Sequence, residues 1–332
     1  LVGIGPEFIL QASVNYSVTQ KRIFVCGHFS NGLVKNTNYF CTMKFAGFAV
    51  VYSLLWCLAW LPKRILFVFG DFFFLLMYHL IGYRKEVVRN NLKNSFPEKS
   101  EKERKAIEKR FYHHLADSFL EWIYPLHRSS KKVDPYYRFV NPEVLNELFN
   151  KNISVAGVLG HYGNWEWLSL LPVHINHKVW AIHKPLKNKH YNKLINDLRS
   201  KYGVNMVSTA ESFRLLKTEK DRGVATLTYF LADQSPQKSK IKYWTSFLNQ
   251  DTPVFLGAEQ IARKLDMAVV FFDIRKVKRW RYEIEFKVLA EKPNEFDQYD
   301  ITEQHVRALE SRIKAEPEWW LWSHRRWKHQ KG

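Results

Sequence analysis

Cysteine is scarce in this chain. Cys26, Cys41 and Cys57 are the three present, all near the N-terminus and none in a pair with metal or redox spacing. That excludes a disulfide framework and leaves a main domain suited to reducing conditions. Acidic residues are also short, 32 Asp and Glu against 51 Lys and Arg. There is no internal repeat and no low-complexity tract, which excludes a solenoid or a compositionally disordered protein. No small-residue cleavage site follows the apolar segment after Met43, so a cleavable signal peptide has no support. G-x-S-x-G and H-E-x-x-H are both missing. A serine nucleophile on an elbow turn and a helix-borne zinc site therefore lack their signatures. His174-x-x-His177 has two ligands only and follows Pro172, which reads as a loop feature and not a zinc site.

The charge that is present is positive, a formal +19 over 332 residues. A basic surface of this size points to an anionic partner: nucleic acid, a phospholipid surface or an acidic protein. Aromatic residues make up 16% of the chain and include 12 tryptophans. Basic side chains interleaved with Trp and Tyr suit a membrane interface. Stacking on bases keeps a nucleic-acid-binding module open as a non-enzymatic alternative.

Three regions differ in character. Residues 1–42 mix short apolar pieces with Asn, Ser and Thr, and read as an extension upstream of a native start at Met43. Residues 43–83 read as a membrane anchor followed by an interfacial helix. No charge occurs from Phe45 to Leu61, and Pro62-Lys63-Arg64 comes next. That run is near the lower length limit for a spanning helix, and its basic flank places the rest of the chain on the cytoplasmic side. The second apolar stretch, Ile65 to Tyr83, carries Asp71 and His79. A carboxylate is costly at bilayer centre, so this stretch is expected to be interfacial or docked on protein. Two buried helices of a soluble protein are the alternative.

Residues 84–332 form the third region. Ser100-x-x-Glu103 is a capping box for a long helix to about Tyr124, with Phe111, Leu115, Phe119 and Trp122 on one stripe. His113 and His114 on it face different directions and read as surface or packing residues. Strand candidates lie further along at 153–159, 178–182, 204–207, 223–231, 268–275 and 281–288. Helix candidates between them are 166–171, 188–202, 211–220 capped by Ser208-x-x-Glu211, and 254–265 entered by Pro253. A last helix runs from Asp300-x-x-Glu303 to about Glu316, before Pro317. Such alternation predicts an α/β fold with a mixed, mostly parallel sheet flanked by helices. The short turn at 276–280 predicts one antiparallel pair.

The chemistry concentrates in Ser154-Val155-Ala156-Gly157-Val158-Leu159-Gly160-His161-Tyr162-Gly163-Asn164-Trp165-Glu166-Trp167. It reads as strand, tight turn and helix, with His161 just outside the helix start. The helix dipole there disfavours imidazolium and keeps the ring able to accept a proton. Glu166 is expected to hold Nδ1–H. A capping His and a surface Glu are the bland alternative. A His and an acid without a protein nucleophile fit one reaction type: the His deprotonates a substrate hydroxyl, which attacks an activated acyl group directly.

His161-Tyr162-Gly163-Asn164-Trp165-Glu166 resembles the H-x-x-x-x-D/E block of the lysophospholipid acyltransferase superfamily, in the H-x-G-N-W-E form of the lipid A late acyltransferases of lauroyl/myristoyl type. Lys184-Pro185-Leu186-Lys187-Asn188 and Ala232-Asp233-Gln234-Ser235-Pro236 look like that family's second and third blocks. Pro317-Glu318-Trp319-Trp320-Leu321-Trp322-Ser323-His324-Arg325-Arg326-Trp327-Lys328 is similar to its terminal P-E-x-x-x-W-x-H-R-R-W-K signature. Two places depart. His183 stands where the family carries an aromatic, and Ser246-Phe247-Leu248-Asn249 replaces an F-F-G-like turn.

The resemblance implies a glycerolipid acyltransferase-like fold at the cytoplasmic face of the inner membrane. It implies acyl transfer from an acyl carrier protein thioester, or acyl-CoA, to a hydroxyl of a 3-hydroxyacyl chain on a lipid A precursor. His161 is then the general base and Glu166 its orienting acid. Gly163, Asn164, Lys184, Lys187, Asn188, Asp233 and Gln234 are the substrate-binding candidates, with Asp233 and Gln234 also able to brace the motif loop. No metal, no cofactor and no nucleic acid are implied, while an anionic membrane and an acidic carrier suit the +19 charge. Another glycolipid or a lysophospholipid is the alternative acceptor. Arg325 and Arg326 read as a headgroup contact or as C-terminal packing.

Overall fold

The computed structural model describes residues 33–331, with side chains from Gly47 onward. Residues 1–32, and with them most of the 1–42 extension, lie outside the described residues. Helix α1 runs Leu33–Trp60 without a break at Met43, and α2 follows at Lys63–Leu75, continued by one π-helical turn, Leu76–Ile81. Next come α3 at Lys85–Ser95 and α4 at Glu101–Ile123. The expected capping box opens α4: the Ser100 hydroxyl accepts from Glu103 N, and the Glu103 carboxylate accepts from Ser100 N at 2.7 Å. Leu115 and Phe119 of the expected stripe are only half-buried, and the buried face instead includes Glu108, His114, Asp117 and Glu121.

After α4 the chain enters the sheet domain. Its strands are β1 Tyr137–Phe139, β2 Val155–Leu159, β3 Lys178–His183, β4 Asn205–Ser208, β5 Thr226–Leu231, β8 Ala268–Lys278 and β9 Arg281–Ala290, in spatial order β1-β9-β8-β2-β5-β3-β4. A separate hairpin pairs β6 Trp244–Phe247 with β7 Gln250–Pro253. The helices among them are α5 Glu143–Asn150, α6 Lys189–Ser200, α7 Ser212–Asp221, α8 Gly257–Leu265 and α9 Asp300–Ala315. Every adjacent pair in the large sheet is parallel except β8–β9. This is the mixed, mostly parallel α/β sheet that the alternation predicts. Strand β2 is buried at all of its positions, as an inner parallel strand covered on both faces should be.

Several boundaries differ from expectation for local reasons. The segment expected as helix 166–171 is a 3₁₀ helix, Trp165–Val173, with Pro172 inside it. Ser208 does not cap α7; it ends β4, and its hydroxyl donates to the Glu211 carboxylate at 2.6 Å while the helix starts at Ser212. Pro253 closes β7 and α8 begins only at Gly257. Helix α9 is entered from Tyr299 in a left-handed conformation, with no side-chain cap. Strand β1 has too few residues for an alternation signal. The β6–β7 turn places Leu248 and Asn249 at positive φ, 51° and 61°, the geometry of a two-residue hairpin without its usual Asn-Gly marker.

Among the described residues, Lys63–Ile81 is a helical stretch long and apolar enough to cross a membrane. Yet α2 is docked on protein, packed along α4. Asp71 meets His113 Nε2 at 2.7 Å and Arg279 at 2.9 Å, and Arg279 also donates to the Phe67 carbonyl at 3.0 Å. Large apolar side chains are exposed on α1 (Val50, Leu54, Trp60), on α2 (Val68, Phe72, Leu75) and on the turn that continues it (Leu80).

Asp117, fully buried on α4, receives Arg279 through both carboxylate oxygens at 2.7–3.1 Å. Removing Arg279 strands the fully buried Asp117 carboxylate. Arg279→Ala is expected to lower the unfolding free energy by about 3–5 kcal/mol in chemical denaturation. A loss under about 1 kcal/mol would show that solvent reaches Asp117 in the variant.

Candidate active site

Strands β2 and β5 are parallel neighbours in register, Leu159 opposite Leu231. The ladder continues one residue further, with Ala232 N donating to Leu159 O at 3.1 Å. Two residues past each strand end stand His161 and Asp233, which brings them level although 72 positions separate them in sequence. The chain leaves β2 for β3 on one side and leaves β5 for β8 on the other. A crevice opens at such a switch point, at the carboxyl ends of the strands.

Asp233 holds the histidine in two ways. Its Oδ1 lies 2.6 Å from His161 Nδ1, and its Oδ2 accepts His161 N at 2.8 Å. Oδ2 also accepts the Trp320 indole N–H at 2.8 Å. Burial alone would raise this carboxyl's pKa. The opposing charge of the His161 ring and these hydrogen bonds outweigh burial and hold it well below the usual carboxylate range. An ionised carboxylate only accepts, so Nδ1 carries a ring proton, and in the neutral ring Nε2 presents a lone pair. The Gln234 side-chain nitrogen sits 3.1 Å from that Nε2, and Trp165 packs edge-on to the ring at 5.0 Å.

The turn that carries His161 needs glycine at 163, where φ is +58° and Ile274 lies only 2.9 Å from where a Cβ would be, while a Cβ at Gly160 would press on the terminal methyls of Leu309 at 2.7 Å. Below the turn lies a buried polar cluster. Asn164 caps the 3₁₀ segment by accepting Trp167 N at 3.2 Å, and its amide donates to Glu121 at 2.9 Å. Glu121 also accepts the Tyr282 hydroxyl at 2.8 Å. Burial pushes Glu121 up to about 7, against the pull of the nearby Lys276 ammonium. Burial likewise depresses Lys276, which lies 3.1 Å from the His114 ring.

Glu166 does not hold Nδ1, contrary to the expectation from spacing. The 3₁₀ segment that starts at Trp165 carries it toward α6, where Arg199 donates to it in a fork at 2.6 and 2.8 Å. Asp233 already occupies Nδ1. Glu166 nevertheless lines the same cavity as His161.

That cavity has a volume of about 300 Å³. His161, Gln234, Glu166, Arg199, His183 and Lys184 supply its polar lining, and Leu168, Met206, Tyr229, Phe230, Phe255 and Ile261 supply apolar wall. A mostly apolar cleft with a few convergent polar groups is the ordinary form of a small-molecule site.

Of the candidates read from sequence, His161, Glu166, Lys184 and Gln234 are brought together on this cavity. Others have structural partners. Asn164 is buried with both ends of its amide engaged, and Gly163 donates its N–H to Trp319 O at 2.9 Å. Asn188 caps α6 by accepting from His190 N and Tyr191 N, and Lys187 is exposed on the loop before it. His174 and His177 take separate partners, Asp134 and the Ile153 carbonyl. Asp233 as the Nδ1 partner, Arg199, Glu121 and Trp320 escape the sequence reading. Only strand order reveals Asp233 in that role; its place in the third block marks it as a brace for the loop.

The family model for bacterial lipid A biosynthesis acyltransferases matches residues 34–329. No curated protein matches. A solved structure similar to the chain is the 1-acyl-sn-glycerophosphate (LPA) acyltransferase PlsC from Thermotoga maritima, at 15% identity over 77% of this chain and 95% of that one, with a TM-score of 0.35.

Two histidines behind the site are held neutral by burial, His305 pushed down to about 4 and His324, which accepts Ser235 N at 3.2 Å, to about 3. Unfolded, each would titrate near 6.5. Between those values the unfolded chain binds more protons, so stability is full above pH 6.5 and falls as pH drops toward 4. His324→Gln, which keeps an acceptor, should flatten the slope of unfolding free energy against pH between 4.5 and 6 by about 1.4 kcal/mol per unit. Equal slopes in urea titrations of the two proteins would contradict this.

Proposed function

Because the chain belongs to the family of bacterial lipid A biosynthesis acyltransferases, we propose that it transfers a fatty acyl chain from an acyl carrier protein thioester to a hydroxyl on a 3-hydroxyacyl chain of a lipid A precursor. The observation that carries this reading is the His161 ring, its Nδ1 fixed by Asp233 and its Nε2 lone pair turned to an apolar cavity.

The acceptor hydroxyl takes the place of the Gln234 amide at Nε2 and gives its proton to His161 as its oxygen attacks the thioester carbon. The C–O bond forms and the C–S bond breaks. The thiolate leaves and can take the proton back from the imidazolium, so donor and acceptor balance without a co-reactant. Asp233 stabilises the transient imidazolium. The displaced Gln234 amide is suited to donate to the oxyanion, because its nitrogen already lies 3.1 Å from the base.

The apolar wall suits the alkyl chain. Exposed Lys184 at the cavity and Lys187 beyond it suit an acceptor phosphate. The exposed apolar residues of α1 and α2 support binding to a membrane, for which we propose the cytoplasmic face of the inner membrane, and a +19 charge suits both anionic lipid and an acidic carrier.

The purified protein should acylate a tetra-acylated lipid A precursor from acyl carrier protein thioester. His161→Ala should lower kcat by at least about two orders of magnitude, and Asp233→Asn should cost at least as much as Glu166→Gln. Full activity in the His161 variant would reject the mechanism, and a tolerant Asp233 would reject the orienting carboxylate. With the carrier protein as donor, kcat/KM should drop steeply as salt is raised. A flat salt profile would count against electrostatic docking of the donor.

A further inference from the structure

We propose that Trp320 is a positioning residue for the His161–Asp233 pair, so that the terminal segment Pro317–Trp327 is part of the reaction centre and not only packing. The inference rests on the catalytic role proposed for His161. Of the two oxygens of Asp233, Oδ1 serves the His161 ring, while Oδ2 takes the His161 N–H and the Trp320 indole N–H, both at 2.8 Å. Two donors on Oδ2 fix the carboxylate plane and thereby aim Oδ1 at Nδ1. An indole N–H can only donate, and Trp320 is 2% exposed, so neither rotation nor water readily replaces this contact.

The same segment holds the backbone of the turn. Leu321 N donates to His161 O at 3.2 Å, Gly163 N donates to Trp319 O at 2.9 Å, and Tyr162 and Trp320 form an antiparallel bridge. The Tyr162 hydroxyl donates to Glu316 O at 2.8 Å. On its other side the segment is tied to α3, where the Asn91 amide donates to Trp322 O at 2.8 Å and His324 O at 3.0 Å. One strap thus fixes both the turn carrying the base and the carboxylate that orients it.

Packing alone does not account for the direction of the indole. Trp122, Trp180, Trp280 and Trp319 all keep a buried indole nitrogen with no protein partner, so this fold tolerates tryptophans whose N–H goes unused. The Trp320 N–H is instead aimed at the carboxylate that touches the base.

Trp320→Phe keeps a ring and removes only the N–H. Its expected effect is about a tenfold fall in kcat, the scale of one hydrogen bond to a charged group, with KM for both substrates within about twofold. With Oδ2 relieved of one donor, the carboxylate attracts the imidazolium more strongly. The acid limb of kcat/KM should therefore move to higher pH. Trp280→Phe is the control: its buried indole nitrogen has no protein partner and it lies outside the strap, so the change should alter stability and leave the acid limb in place. A Trp320→Phe protein with unchanged kcat and limb, or with a lower kcat and an unmoved limb, overturns the proposal.

If that variant does not fold, indole ¹⁵N–¹H spectra of the unaltered protein decide. The Trp320 N–H resonance should shift with the pH midpoint of the acid limb and the Trp280 resonance should not; equal behaviour of the two overturns the proposal. His161→Ala separates the two readings. Full activity in that variant defeats the proposed reaction, whereas an inactive His161→Ala beside an unaffected Trp320→Phe defeats the role of Trp320 alone.

Discussion

The contact on which the site depends is the buried hydrogen bond between Asp233 and His161, made where two parallel strands end level. Its geometry comes from the sheet. Register sets Leu159 opposite Leu231, and one further ladder bond carries both chains out of the sheet together. The crevice at the switch between β2 and β5 then lies beside the other edge of the ring, where the Gln234 amide rests on Nε2. A slip of one residue would turn His161 to the opposite face and leave Asp233 buried without a counter-charge.

Beneath that pair the fold keeps several ionisable groups out of water. Asp117, Glu121, His114 and Lys276 cluster between α4 and β8, and burial moves Glu121, His114 and Lys276 toward their neutral forms. Apolar residues of the same volume would give equal or greater stability. What the cluster supplies is direction. Glu121 receives Asn164 from the turn that carries His161 and Tyr282 from β9, while Asp117 and Asp71 clamp Arg279 so that α2 lies on the domain. The turn and the apolar helices are thereby referenced to one rigid helix.

Local signals make most of the fold legible. The buried apolar runs of β2, β5 and β8 and the capping box of α4 are readable because each depends on neighbours a few residues apart. The β6–β7 hairpin is not, since Leu248 and Asn249 adopt positive φ without glycine. The site divides in the same way. His161 is legible from its strand-turn context, and Gln234 from its block. The partner of Nδ1 is not, because spacing favours Glu166 within the motif, and only the order of strands places Asp233 beside the ring. Arg199 on α6 completes the explanation by drawing Glu166 to the cavity wall.

The amide of Gln234, resting on Nε2 of His161, bears on a hazard of the proposed reaction. A thioester bound beside an uncapped base would be open to hydrolysis, since water is the most abundant hydroxyl in the cell. While Gln234 covers the lone pair, a water molecule must compete for it with only its own hydrogen bonds. A lipid acceptor held by its chains and phosphate can displace the amide with binding energy from elsewhere in the molecule. The resting contact would thus make an idle, loaded enzyme conserve its donor.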